Sequence, residues 1–180
     1  VSAPVTYGEL LIGPLLHGFR AAHPDLTIDL RLSDRFVDLA VEGIDLAIRI
    51  GRLDSSALMA RKLGEIRLLL VAAPAYLAAH GTPRRIEDLA GHDAIAFRLP
   101  TSGRQRPWQL RQRIAPVELM PPARMLINET EGLVDAVKQG LGLCQLPDML
   151  VRDELARGEL KEVLPSCRPE PMPVYVVYPS

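Results

Sequence analysis

"LTIDLRLSDRFVDLAVEGIDLAIRIG", residues 26–51, decides the fold class. Its first seven residues alternate. Leu26, Ile28, Leu30 and Leu32 fall on one face and Thr27, Asp29 and Arg31 on the other, the pattern of a half-buried strand. At Ser33 the period changes. "SDRFVDLAVEG" opens on Ser33 or Asp34 as an N-cap, closes on Gly43, and reads as a short helix. "IDLAIRIG" then reads as a strand. Upstream, "VSAPV" (1–5) reads as a strand. Residues 6–23 read as a helix, with Leu11, Leu15, Leu16 and Phe19 at helical spacing and a stop before Pro24. The order strand-helix-strand-helix-strand over residues 1–51 predicts a parallel sheet with right-handed crossovers.

The alternation continues downstream. "LMARKLG" and "IRLLLVAAP" read as two strands joined at Gly64-Glu65, and Pro74 opens the helix "AYLAAHG". "IEDLAGH" reads as a short helix and "DAIAF" as a strand. "RLPTSGRQRPWQL" reads as a polar loop with a basic cluster. Then follow a strand "ARMLI", a helix "GLVDAVKQG", a strand "GLCQLP", a helix "DMLVRDELARG" and a short strand "ELKEVL". The Pro-rich link "PSCRPEPMP" leads to a last strand, "VYVVYP".

The chain has 180 residues, enough for one domain or two small ones, and 48% of them are apolar. Its 21 Lys and Arg nearly balance 22 Asp and Glu, so bulk charge does not point to nucleic acid. No apolar run reaches the roughly 20 residues of a membrane span. The first residues carry no signal-peptide pattern. The chain does not start at Met and reads as a fragment or a processed form. Cys144 sits in an apolar run as a small hydrophobe, Cys167 sits in a loop, and their spacing fits no metal site. A disulfide between the two is not expected.

Two junctions recur. Thr6-x-x-Glu9 and Asn128-x-x-Glu131 each follow a strand and read as capping boxes that open a helix. In open α/β sheets the carboxyl ends of the strands bind ligands, and free N–H groups at helix starts favour anions. Catalytic patterns are missing: the sequence has no G-x-S-x-G, no P-loop and no H-E-x-x-H. The four histidines, His17, His23, His80 and His92, are scattered without ligand spacing. No catalytic residue, metal or cofactor is expected.

"VSAPVTYGELLIGPLL", "FRAAHPDLTIDLRLSDRFVDLAVEGIDLAIRIG", "MARKLGEIRLLLVAAPAYLAAHGTP" and "GLGLCQLP" closely resemble the effector-binding domain of LysR-type transcriptional regulators, over nearly the whole chain. The resemblance implies an α/β fold of two Rossmann-like subdomains with a hinge and a central cleft, similar to type II periplasmic binding proteins. Subdomain I would be residues 1–72 plus 173–180, and subdomain II residues 73–172. The winged helix-turn-helix and linker helix of such regulators are absent from this chain, as is the usual helix after the last strand. It also implies a cytoplasmic sensor with no membrane partner. Such a sensor binds a small effector, pairs as a homodimer within a tetramer, and reaches DNA only through the missing N-terminal domain.

The resemblance and the junctions together nominate Thr6 and Tyr7, Ser33 and Arg35, Arg49, then Phe97, Arg98 and Pro100, and Asn128 with Glu129 as effector contacts. Plain readings stand beside these. Thr6 is also a simple N-cap, Tyr7 a packing residue, Arg35 and Arg98 surface charges, and Arg49 the partner of a structural carboxylate. The two helix starts, with Arg35, Arg49 and Arg98 nearby, make the expected effector a small organic acid, an aromatic one included, and Glu129 opposes that charge. The helix face of Leu15 and Phe19 with the strand face of Thr27, Asp29 and Arg31 resembles the family's dimer surface. A solvated one-sided strand reads the same way. Two rivals share the fold: a periplasmic solute-binding protein and an enzyme.

Overall fold

The computed structural model describes residues 1–35, 38–39, 41–53, 58–100 and 102–179. The chain divides into two units, one of residues 1–65 with 172–180 and one of residues 66–171.

The first unit is built on a five-stranded sheet. Its strands are β1 (Ser2–Ala3), β2 (Arg31–Leu32), β3 (Ala47–Ile50), β4 (Met59–Ile66) and β12 (Met172–Tyr178), in the order β2-β1-β3-β12-β4. β1 runs parallel to both β2 and β3, as the strand-helix-strand order requires, and β12 returns antiparallel to β3. Helix α1 is continuous from Val5–Tyr7 through a π turn at Gly8–Ile12 to Gly13–Ala22. Pro14 explains the π turn. A proline inside a helix donates no hydrogen bond and crowds the carbonyl four residues back. Here the Gly13 N–H donates five residues back, to Gly8 O, just ahead of it.

Several expectations need correction in this unit. The first strand is only two residues long, and the helix starts at Val5 rather than Thr6. The alternating run 26–32 pairs only at Arg31–Leu32, because a two-residue β1 offers no longer partner. The Arg31 and Ser33 N–H groups donate to Val1 O and Ala3 O, which completes that short ladder. The helix expected over 33–43 falls partly outside the described residues. Leu39 and Val41–Gly43 form turns, with the Ile44 N–H bonded to Leu39 O at 2.8 Å. On α1, Leu15 and Phe19 are exposed. The core gathers around Leu39, Ile44, Ala47 and Val177.

The second unit has a five-stranded sheet in the order β11-β5-β10-β6-β9. Its strands are β5 (Leu68–Ala72), β6 (Ala94–Phe97), β9 (Ala123–Ile127), β10 (Leu143–Pro147) and β11 (Lys161–Val163). β5 was expected in the first subdomain. It pairs with β10 and β11, so the first passage between units falls at residues 65–66 and not after 72. Its run "LLLVA" is buried along four of five residues, which is why it does not alternate. Helices α2 (Pro74–His80), α3 (Thr130–Lys138) and α4 (Asp148–Arg157) and a 3-10 turn at Ile86–Gly91 complete the unit. Gly158, at φ 72, ends α4 in the left-handed conformation that favours glycine.

The segment read as irregular holds an antiparallel hairpin, β7 (Trp108–Gln112) and β8 (Ala115–Leu119). Trp108 and Leu110 enter the core. Gln145 of β10 fastens the hairpin: its Oε1 accepts the Gln109 N–H at 2.9 Å and its Nε2 donates to Gln109 O at 2.6 Å. The turn at Arg113, φ 58, lacks the Asn or Gly that normally marks such a turn, so no residue pattern announces it.

Candidate functional site

β1, β2 and β3 are parallel, so their carboxyl ends share one edge of the first sheet, and the sequence candidates of this unit gather there. Thr6 and Tyr7 lie half-buried in the first turn of α1, and burial pushes the Tyr7 phenol up. Thr6 is not the N-cap. Pro4 holds that position with no side-chain cap, and the capping box of Thr6 and Glu9 does not form. The Val5 N–H is taken from a distance, by Asp34 Oδ1 at 3.1 Å. Asp34 was read as a possible cap for its own segment, and it caps α1 instead. Ser33 Oγ accepts the Arg35 N–H at 3.2 Å in a local turn, and Arg35 is exposed. Arg49 is 9% exposed, near the end of β3, with Nη1 donating to Ile48 O. Burial pushes its guanidinium down from the ordinary value, and the Glu42 carboxylate pulls it up.

The second unit presents a matching edge. β6 and β9 are parallel, with Phe97 opposite Ile127. The Arg98 N–H donates to Ile127 O at 2.8 Å, so Phe97 and Arg98 lie beside the start of the Asn128-Glu129 turn. Phe97 packs against the core, while Arg98 and Pro100 are exposed. The cap of α3 is Glu129 and not Asn128. Its carboxylate accepts the Glu131 N–H at 3.1 Å and the Gly132 N–H at 2.9 Å. Those amides hold the Glu129 carboxyl below its usual range, so it is ionised at neutral pH.

The two helix starts therefore share one feature. Each carries a carboxylate of the chain itself, Asp34 on α1 and Glu129 on α3. An external acid at either start would displace or oppose a group that already uses the free N–H. Neither carboxylate was assigned this role from sequence. Asp34 lies 29 residues from its partner, and only β1–β2 pairing brings the two together.

The surface candidates behave differently. Leu15 is 69% and Phe19 46% exposed, and Phe19 stands 4.7 Å from the His23 ring. Thr27 is exposed, and Asp29 and Arg31 pair with each other at 2.9 Å. Among the described residues no group of His, Cys, Asp and Glu is placed to hold a metal, and no helix is long and apolar enough to cross a membrane. Both cysteines are free thiols, and burial pushes Cys144 up to about 12. His92 and Tyr76 form a buried pair, with the Tyr76 hydroxyl 3.2 Å from His92 Nδ1.

Known proteins are similar to this chain in fold and in sequence. The family described as LysR substrate binding domain matches residues 1–180. An HTH-type transcriptional regulator of Haemophilus influenzae is 33% identical over the whole chain, which spans 62% of that protein. The regulatory domain of AphB from Vibrio vulnificus superposes with a TM-score of 0.87 at 28% identity, over 99% of this chain and 88% of that one. The CrgA regulatory domain of Neisseria meningitidis, itself a LysR-type transcriptional regulator, gives 0.81 at 31% identity, over 99% and 87%. Its two-sheet α/β architecture is that of LysR regulatory domains, which resemble periplasmic binding proteins in fold. The chain belongs to the LysR substrate-binding-domain family, the effector-binding domain of LysR-type transcriptional regulators.

Proposed function

We propose that this domain senses a small organic acid, which binds between the two units and shifts the equilibrium between their arrangements. In a full-length cytoplasmic regulator that shift would alter how a separate N-terminal domain engages DNA. A ligand moves such an equilibrium only by its differential affinity for the two states. One observation carries the reading: in each unit the sequence candidates sit at the carboxyl ends of parallel strands, Thr6, Ser33 and Arg35 in one and Phe97, Arg98 and Asn128 in the other. The chain's own carboxylates occupy the helix starts, so the acid group falls to arginine side chains. Homodimerisation through the face of Leu15, Phe19, Thr27, Asp29 and Arg31 fits the exposed apolar residues of α1.

A thermal-shift panel of small carboxylates, phosphates and matched neutral amides tests this on the chain and on Thr6→Ala. A ligand at about 100 times its Kd stabilises by roughly 2.7 kcal/mol, a visible rise in Tm. Carboxylate hits without their amides support the acid, and loss of the hit in Thr6→Ala places the ligand at α1. A response to neutral or cationic compounds alone would refute the organic-acid reading.

A further inference from the structure

Residues 94–117 hold five arginines, Arg98, Arg104, Arg106, Arg111 and Arg113, and no acidic residue. Arg111 pairs with Glu170. Among the described residues, no ion pair uses Arg98, Arg104 or Arg106.

Beyond β6 the chain folds back on itself. Arg98 and Gln105 form an antiparallel bridge. The Arg106 N–H donates to Phe97 O and the Leu99 N–H to Arg104 O, each at 2.8 Å. Gly103, at φ 66, turns the chain, and its N–H reaches Leu99 O at 2.8 Å. Residues directly opposite in such a ribbon share a face, and successive residues alternate. One face therefore carries Phe97, Leu99, Arg104 and Arg106. The other carries Arg98 and Gln105. The Arg106 guanidinium carbon stands 5.5 Å from the centre of the Phe97 ring, as this assignment requires. On the opposite face Gln105 Nε2 donates to Pro121 O at 2.9 Å, and Arg98 turns back to Gly103 O at 3.0 Å.

We infer that Phe97, Leu99, Arg104 and Arg106 form the part of the effector site that selects a planar, apolar-bodied carboxylic acid. The ring of the acid lies along Phe97 and Leu99, and its carboxylate meets Arg104 and Arg106. A guanidinium fork matches a carboxylate in geometry as well as in charge. The apolar pair favours an organic acid over inorganic phosphate. Arg98, the arginine nominated by the sequence, faces away. The inference rests on the organic-acid reading above and adds to it the class of acid and the residues that choose it.

Benzoate, benzamide, acetate and inorganic phosphate are titrated into the 180-residue chain and followed by amide NMR. Benzoate is expected to move the Phe97, Leu99 and Arg106 signals, with the other three binding at least about tenfold more weakly. Arg104→Gln and Arg106→Gln each weaken benzoate by about tenfold, the scale of one charge-assisted hydrogen bond. Arg113→Gln makes the same charge change on an exposed turn and leaves benzoate within about twofold. The inference is overturned if Arg106→Gln binds benzoate as the parent does, if Arg113→Gln costs as much, if phosphate matches benzoate, or if the Phe97, Leu99 and Arg106 signals do not respond. Benzoate signals confined to Thr6 and Ser33 would overturn it while the organic-acid reading stands. A chain that binds benzamide and no anion would end both.

Discussion

Replacing Tyr76 by Phe removes one oxygen from the core of the second unit and strands two partners. That hydroxyl accepts the Asp93 N–H at 2.9 Å and lies 3.2 Å from His92 Nδ1. Burial, joined by the nearby His80, lowers the His92 pKa, and Asp88 and Asp93 oppose this without reversing it. Each lost hydrogen bond costs about 1 kcal/mol, and a stranded buried group about 1–3 kcal/mol. With His92 buried and Asp93 partly so, the change should destabilise by about 2–4 kcal/mol. At roughly 4–8 °C per kcal/mol for a unit of this size, Tm falls by at least about 8 °C. The pH profile adds a second signature. A histidine whose folded pKa is depressed gives stability that is present above the unfolded value near 6.5 and lost as pH falls through the folded one. Tyr76→Phe removes the hydroxyl beside Nδ1, so the acid slope should change. Scanning calorimetry from pH 5 to 8, with exposed Tyr178→Phe as control, decides the matter. A Tm drop no larger than the control's, or an unchanged acid slope, would show that the Tyr76–His92 contact carries no energy.

Gly142→Ala should cost about 2–3 kcal/mol in urea unfolding, because φ is 151 and an added Cβ would stand 2.5 Å from Asp93 O, a backbone atom that cannot swing away. Glu129→Ala removes the cap of α3 and should lower stability by about 1 kcal/mol by the same assay. The depressed Glu129 pKa gives a contribution present above its unfolded value and lost as pH falls through the folded one, so the gap between parent and variant closes in acid. With its pKa near 12, buried Cys144 should resist a thiol reagent at pH 8 in the native chain, while half-buried Cys167 reacts first; equal rates would contradict the burial.

The parallel order of the first unit was legible because the hydrophobic period is 3.6 along residues 6–23 and 2 along residues 26–32. The hairpin Trp108–Leu119 was not: its turn uses Arg113 at positive φ without a marker residue. The placement of β5 was not legible either, since a continuous apolar run shows burial on both faces and says nothing about which sheet buries it. The candidate residues of the site could be named from their position after strands, but their partners could not. Asp34 reaches Val5 only across paired strands, and Arg104 and Arg106 share a face with Phe97 only once the chain has folded back. Capping boxes failed for a local reason: Pro4 and Glu129 start their helices one or two residues away from where the Thr and Asn patterns point.

β12 lies between β3 and β4, so residues 172–178 complete a sheet whose other strands lie within the first 66 residues. During synthesis this inverts the usual order. Residues 66–171 clear the ribosome as a continuous set and can fold while the earlier ones wait. Until β12 arrives, β3 shows an open strand edge, Ala47–Ile50, with three of its four residues destined for burial. The part of the nascent chain made first is thus exposed longest, and it is there that a chaperone or a misplaced strand would find its opening.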